Sequence, residues 1–138
     1  MAITHAETQV TWPTAANSKA VAGGGDEASE EFNIDDTCVK AQITIKADNS
    51  TTPAADDQLY VWLTQTSGDP DGAGADEFDT DEHAQLLGVL DTNKEDPAIM
   101  TVPLPLPQKG CKLRAEGVTA GTTNSITVSA TVTEQRAA

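Results

Sequence analysis

Aromatic side chains are scarce in this 138-residue chain, at 4%. Its core must therefore be filled by Val, Ile, Leu and Ala. Cysteine is nearly absent, with Cys38 and Cys111 the only two. The opening MAITHAETQV has no cationic region followed by an apolar stretch, so no secretory signal is read there and a cytosolic origin is expected. In that reducing setting the thiols are expected to be free. Strand alternation agrees, because it turns Cys38 outward with Lys40 and Gln42 and Cys111 inward with Leu113 and Ala115. Histidine is limited to His5 and His83, too few and too far apart for a zinc site. No apolar run approaches ~18 residues, which excludes a membrane-spanning helix.

Positive charge is also short. Eight Lys and Arg face 22 Asp and Glu, giving a formal net charge of −14. Such a surface repels phosphate backbones, so direct nucleic-acid binding is not expected. It keeps the protein soluble and favours cationic partners or bound cations.

What is present is β-patterning. Ile126, Val128, Ala130 and Val132 alternate with Thr127, Ser129, Thr131 and Thr133, the signature of a half-buried strand. From Cys38 to Ala47, the residues Val39, Ala41, Ile43 and Ile45 are expected on one inner face. From Gln58 to Thr66, Leu59, Val61 and Leu63 alternate with Tyr60 and Trp62. Apolar groups on both faces suggest a central strand, or one whose outer face meets a partner. Weaker strands are expected near Gln9–Trp12, Glu31–Ile34, Ala98–Leu104 and Cys111–Glu116. The stretch 79–90 fits a buried strand slightly better than a helix. Gly, Pro and Asx clusters separate most of these runs. The expected fold is all-β, a single antiparallel β-sandwich of jelly-roll or Ig-like type over residues 31–138. Residues 1–30, with Gly23-Gly24-Gly25, are expected to form an extended N-terminal arm with one or two short strands, or a loose terminus.

Catalytic patterns are missing. There is no Gly-x-Ser-x-Gly elbow, no Cys-His pairing and no phosphate-cradling loop, so an enzyme is not expected. The acidic run 69–82 invites a calcium test through Asp69, Asp71 and Asp76. Laid on the EF-hand template, it keeps the glycine at Gly74 but has Ala73 and Thr80 at two ligand positions. A site of its own kind, using Asp76, Asp79 or Glu82, and a merely solvated loop both remain open. Candidate partner-binding residues are Trp12 on the arm, Tyr60 and Trp62 on the two-sided strand, and Pro103 and Pro105 at a proline-marked edge.

Several loop motifs carry a likeness. The stretch Gly68 to Thr80 (GDPDGAGADEFDT), then Leu90-Asp91-Thr92-Asn93, Asp96-Pro97-Ala98-Ile99 and Val102-Pro103-Leu104-Pro105 resemble small virion structural proteins of tailed bacteriophages. The resemblance runs loosely from Phe32 to Gln135. It implies a capsid decoration, or cement, protein that coats the outer surface of an icosahedral head. Its partner would be the major capsid protein, its state a trimer or dimer, and its place of assembly the cytoplasm of the host bacterium. It implies no catalytic residues. The alternatives are a carbohydrate- or calcium-dependent β-sandwich binding module, and a tail or connector component.

Overall fold

A computed structural model describes residues 2–68, 77–78, 84–104, 110–118 and 124–137, with side chains for all of these except 66–68 and 77–78. Among them there is no helix, and hence none long and apolar enough to cross a membrane. Ten strands form two antiparallel sheets. They are β1 (Ile3–Gln9), β2 (Lys19–Ala22), β3 (Asp26–Ala28), β4 (Cys38–Asn49), β5 (Gln58–Gly68), β6 (Glu77–Phe78), β7 (Gln85–Asp91), β8 (Ala98–Leu104), β9 (Cys111–Val118) and β10 (Ser125–Ala137).

The first sheet runs β1-β10-β4-β8, with β2 continuing along β10 beyond β1. The second runs β3-β9-β5, with β6 and β7 both on the far side of β5. Apart from β1 to β2 and β5 through β6 to β7, each strand crosses to the other sheet. That wrapping is the jelly roll of the two sandwich types expected.

Period-two alternation builds the core. Ile43, Ile45 and Ala47 of β4 lie opposite Val132, Ala130 and Val128 of β10 across one ladder, and Ala41 and Ile126 extend the same inner face. Leu59, Val61 and Leu63 of β5, with Cys111, Leu113 and Ala115 of β9, supply the opposite wall. The aliphatic core anticipated from composition is thus in place. Val39 departs from expectation and is exposed. The β4–β10 register slips between Gln135 and Arg136, so the ladder goes from Lys40 to Cys38 and Val39 is skipped.

The first thirty residues form no arm set apart from the sandwich. β1 and β2 pair with β10 in the first sheet, and β3 pairs with β9 in the second. Between them lies Trp12, which is 0% exposed and sits in the core with Val10 and Val21. Trp12 and Ala16 exchange backbone hydrogen bonds of 2.7 and 3.1 Å. The Glu30 carboxylate holds this turn by accepting from Thr11 Oγ1 and the Ala15 amide. Trp12 is therefore a core residue and not the partner-facing anchor expected. Close backbone approach fixes one glycine here. A Cβ on Gly117 would lie 2.6 Å from the Ala22 carbonyl oxygen, where the turn before β3 crosses β9.

Two carboxylates are buried among the described residues, Asp57 and Glu134. Glu134, 1% exposed, continues the inner face of β10 beyond Val132. It accepts from Arg136 Nε and Nη2 at 3.2 and 2.8 Å and from the Asp35 amide at 3.0 Å. The Arg136 hydrogen bond holds its carboxyl below the usual glutamate range. Burial opposes that shift, and the Asp35 amide reinforces it. A carboxylate depressed in the folded state contributes stability that is complete above its unfolded pKa of about 4.3 and is lost as pH falls through the lower folded value. Melting temperature is therefore expected to drop more steeply in this acid window for the native chain than for Glu134→Gln. Parallel melts from neutral pH to about pH 3 will check it. Equal slopes would remove Glu134 from the acid response.

Candidate binding face

The outer face of the second sheet gathers the half-buried aromatics. In the β5–β9 register Tyr60 lies opposite Glu116 and Trp62 opposite Arg114. On the other side of β5, Tyr60 meets Val89 and Trp62 meets Leu86, across a bulge between Val61 and Trp62. β3 adds Asp26 opposite Glu116 and Ala28 opposite Arg114. Leu86 and Val89 are 43% and 41% exposed, so the β7 margin of this face is apolar and open to solvent.

Arg114 organises the centre. Its guanidinium carbon stands 5.5 Å from the centroid of the Trp62 ring, within cation–π range. Its Nη1 donates to Asp26 Oδ2 at 2.7 Å and lies 3.9 Å from Glu116 Oε2. One planar cation thus stands between two carboxylates, paired closely with Asp26 and more loosely with Glu116. Beside them a depression of about 430 Å³ is lined by Gly24, Asp26, Glu116, Gly117 and Val118. The Trp62 Nε1 is buried with no acceptor among the described residues. The face can make apolar contacts, offer a guanidinium edge and accept hydrogen bonds at carboxylates.

The other candidates fall elsewhere. Pro103 is exposed on β8, an edge strand of the first sheet, opposite Gln42. Pro105 and the calcium candidates Asp69, Asp71 and Asp76 lie outside the described residues, as do Asp79, Glu82 and His83. Among the described residues no three His, Cys, Asp or Glu side chains group to hold a metal. Cys38 and Cys111 form no disulfide. Burial pushes the Cys111 thiol up to about 11, with a Gln65 hydrogen bond pulling the other way, so it is no nucleophile at neutral pH. Sequence reasoning missed Arg114, Glu116 and Asp26 as members of the face. Alternation in β9 puts Lys112, Arg114 and Glu116 outward, but only the register reveals that they border Tyr60 and Trp62.

No family model matches the chain, and no curated protein matches it. Among solved structures it is similar to the CBM22-1–GH10 modules of the N-terminal endo-1,4-β-D-xylanase 10B from Clostridium thermocellum, solved in complex with xylohexaose. The TM-score is 0.54 at 10% identity, over 97% of this chain and 25% of that one, so the chain spans a quarter of that protein's length. At such identity the likeness bears on fold alone. It agrees with the strand order in making this chain an all-β sandwich like that of the carbohydrate-binding module.

Proposed function

We propose that this chain is a non-catalytic binding sandwich that decorates the head of a tailed bacteriophage, docking on the outer surface of the major capsid protein. The observation that carries the docking role is the Tyr60–Trp62–Arg114 face with its open Leu86 and Val89 margin. Trp, Tyr and Arg are the residues that dominate protein interfaces, and here the arginine is already held in place by Asp26 before any partner arrives. The virion assignment is supported by the loop motifs that resemble phage structural proteins. One of these motifs has structural work in this fold. Leu90 is core, while Asp91 caps its own turn, its carboxylate accepting from the Asn93 amide and its carbonyl from Lys94 and Glu95.

The test is co-sedimentation with shells lacking the protein. Tyr60→Ala and Trp62→Ala are each expected to weaken binding by roughly 30-fold or more, the loss of about 2 kcal/mol typical of an interface anchor. Circular dichroism melts confirm that each variant is folded. Undiminished binding by both folded variants would sink this face as the docking surface, and failure of the native chain to bind any shell would sink the virion reading.

A second reading is glycan binding on the same face. It is favoured by the xylohexaose complex of the structural neighbour. Aromatics two apart on one strand, about 7 Å from each other, with carboxylates beside them, suit a sugar chain. Against it, Arg114 already stands over the Trp62 ring where a sugar would stack. Calorimetric titration with xylohexaose separates the two, since heat of binding lost in Tyr60→Ala would favour the glycan.

A further inference from the structure

The outer face of the first sheet differs from the rest of this acidic molecule. Of the chain's 22 acids, only Asp48 interrupts the outward positions of β4, β8 and β10 between Lys40 and Asp48, the others there being Lys, Thr, Ser, Gln, Ile and Pro. A rung of threonines crosses its middle. Thr131 of β10 lies opposite Thr44 of β4, and Thr44 opposite Thr101 of β8, with the last two hydroxyls 3.0 Å apart.

The pattern on either side of that rung is self-complementary. Along β4 the outward residues read Lys40, Gln42, Thr44, Lys46, Asp48. Along β8 they read Ile99, Thr101, Pro103, and along β10 Ser129, Thr131, Thr133. A two-fold axis laid along the rung reverses the strands of a second copy placed face to face. Lys40 then lies over Asp48 of the second copy, Ile99 over Pro103 of the second copy, and threonine over threonine. The Lys40–Asp48 and Ile99–Pro103 pairings each occur twice, as an isologous contact requires, while each threonine on the axis meets its own copy once. Among the described residues, Lys40, Lys46 and Asp48 make no ion pair within the chain, so their charges are available. Ile99 is 57% exposed, and a hollow of about 180 Å³ opens between Lys40, Gln42, Thr133 and Gln135 where Lys46 of the second copy would enter. Packed sheets cross at about 30°, which displaces pairs lying ~13 Å from the axis by roughly 7 Å, close to the reach of a lysine side chain.

We infer that this face is the interface between two copies of the chain, a two-fold dimer centred on Thr44. It leaves the Tyr60–Trp62 face outward on both copies and does not depend on what that face binds. Three strands at ~4.8 Å by eight residue steps at ~3.3 Å give a footprint of roughly 400 Å² per copy. Stable interfaces use about 800 Å² per partner, so the dimer is weak and reversible, with a dissociation constant in the micromolar range or above.

Sedimentation velocity between about 1 μM and 1 mM at moderate salt tests it. The native chain is expected to dimerise with rising concentration. Lys40→Asp and Asp48→Lys should each weaken association at least 10-fold, since each sets like charges against one another twice. The double exchange Lys40→Asp with Asp48→Lys should restore it, and mixing the two single variants should give a mixed dimer. Trp62→Ala should dimerise like the native chain. A native chain that stays monomeric throughout overturns the inference. So do single variants that dimerise as well as the native chain, or a Trp62→Ala protein that folds and does not dimerise.

Discussion

Trp12→Ala is expected to cost about 3–5 kcal/mol of folding stability, the range for removing a buried tryptophan from a packed core. The side chain is fully enclosed, and it lies where the chain passes from the β1 edge of one sheet towards β3 of the other. The indole Nε1 has no acceptor among the described residues, so Trp12→Phe should retain most of the stability that alanine loses. Urea unfolding followed by circular dichroism compares the three proteins. A Trp12→Ala protein within 1 kcal/mol of the native chain would contradict this placement. A partner-facing tryptophan would behave oppositely, leaving stability intact when removed.

Asp57→Ala is expected to cost roughly 2–5 kcal/mol, because one buried carboxylate oxygen serves three donors. Asp57 is 0% exposed. Its Oδ2 accepts from Asn49 Nδ2 at 3.1 Å, Asn124 Nδ2 at 2.7 Å and the Ala54 amide at 2.8 Å. Its carbonyl accepts from both the amide and the hydroxyl of Thr92, at 3.1 and 2.7 Å. Asn49 and Asn124 belong to the end of the first sheet, while Asp57 and Thr92 flank β5 and β7 of the second. The network thus ties the two sheets at one end of the sandwich. Alanine strands all three donors, whereas Asp57→Asn still offers one carbonyl oxygen to them. The asparagine variant should therefore sit well above the alanine variant in urea midpoint at equal slope. If the two coincide, the hydrogen bonds gathered at Oδ2 are not what Asp57 contributes.

These two positions also mark where the sequence stops being readable. β4, β5, β8, β9 and β10 follow their apolar alternation, because each has one face on the core and period two records that burial. β1 carries no such record. Its residues are nearly all exposed, so nothing in ITHAETQ distinguishes a paired strand from a free arm. Trp12 next to it was read as an anchor for a partner because no local pattern signals that the chain folds inward there. Asp57 looks like one more acid among 22, and only the fold shows that it is enclosed by amides from other loops. Within the candidate face, Tyr60 and Trp62 are legible from the two-sided apolar pattern of their strand. Arg114, Asp26 and Glu116 are not, since they reach it through pairings between strands distant in sequence. Val39 was assigned inward by strict alternation, and a slip in register of a single residue undid it.

The place of β10 bears on how the molecule comes into being. It pairs with β1, β2 and β4, so the first sheet is organised around residues 125–137. Because β1, β2 and β4 all pair with β10, the first sheet closes only once residues 125–137 are available to it. Non-local closure of this kind is slow, and the interval leaves strand edges open to pairing with other chains. The formal net charge of −14 opposes such pairing between copies.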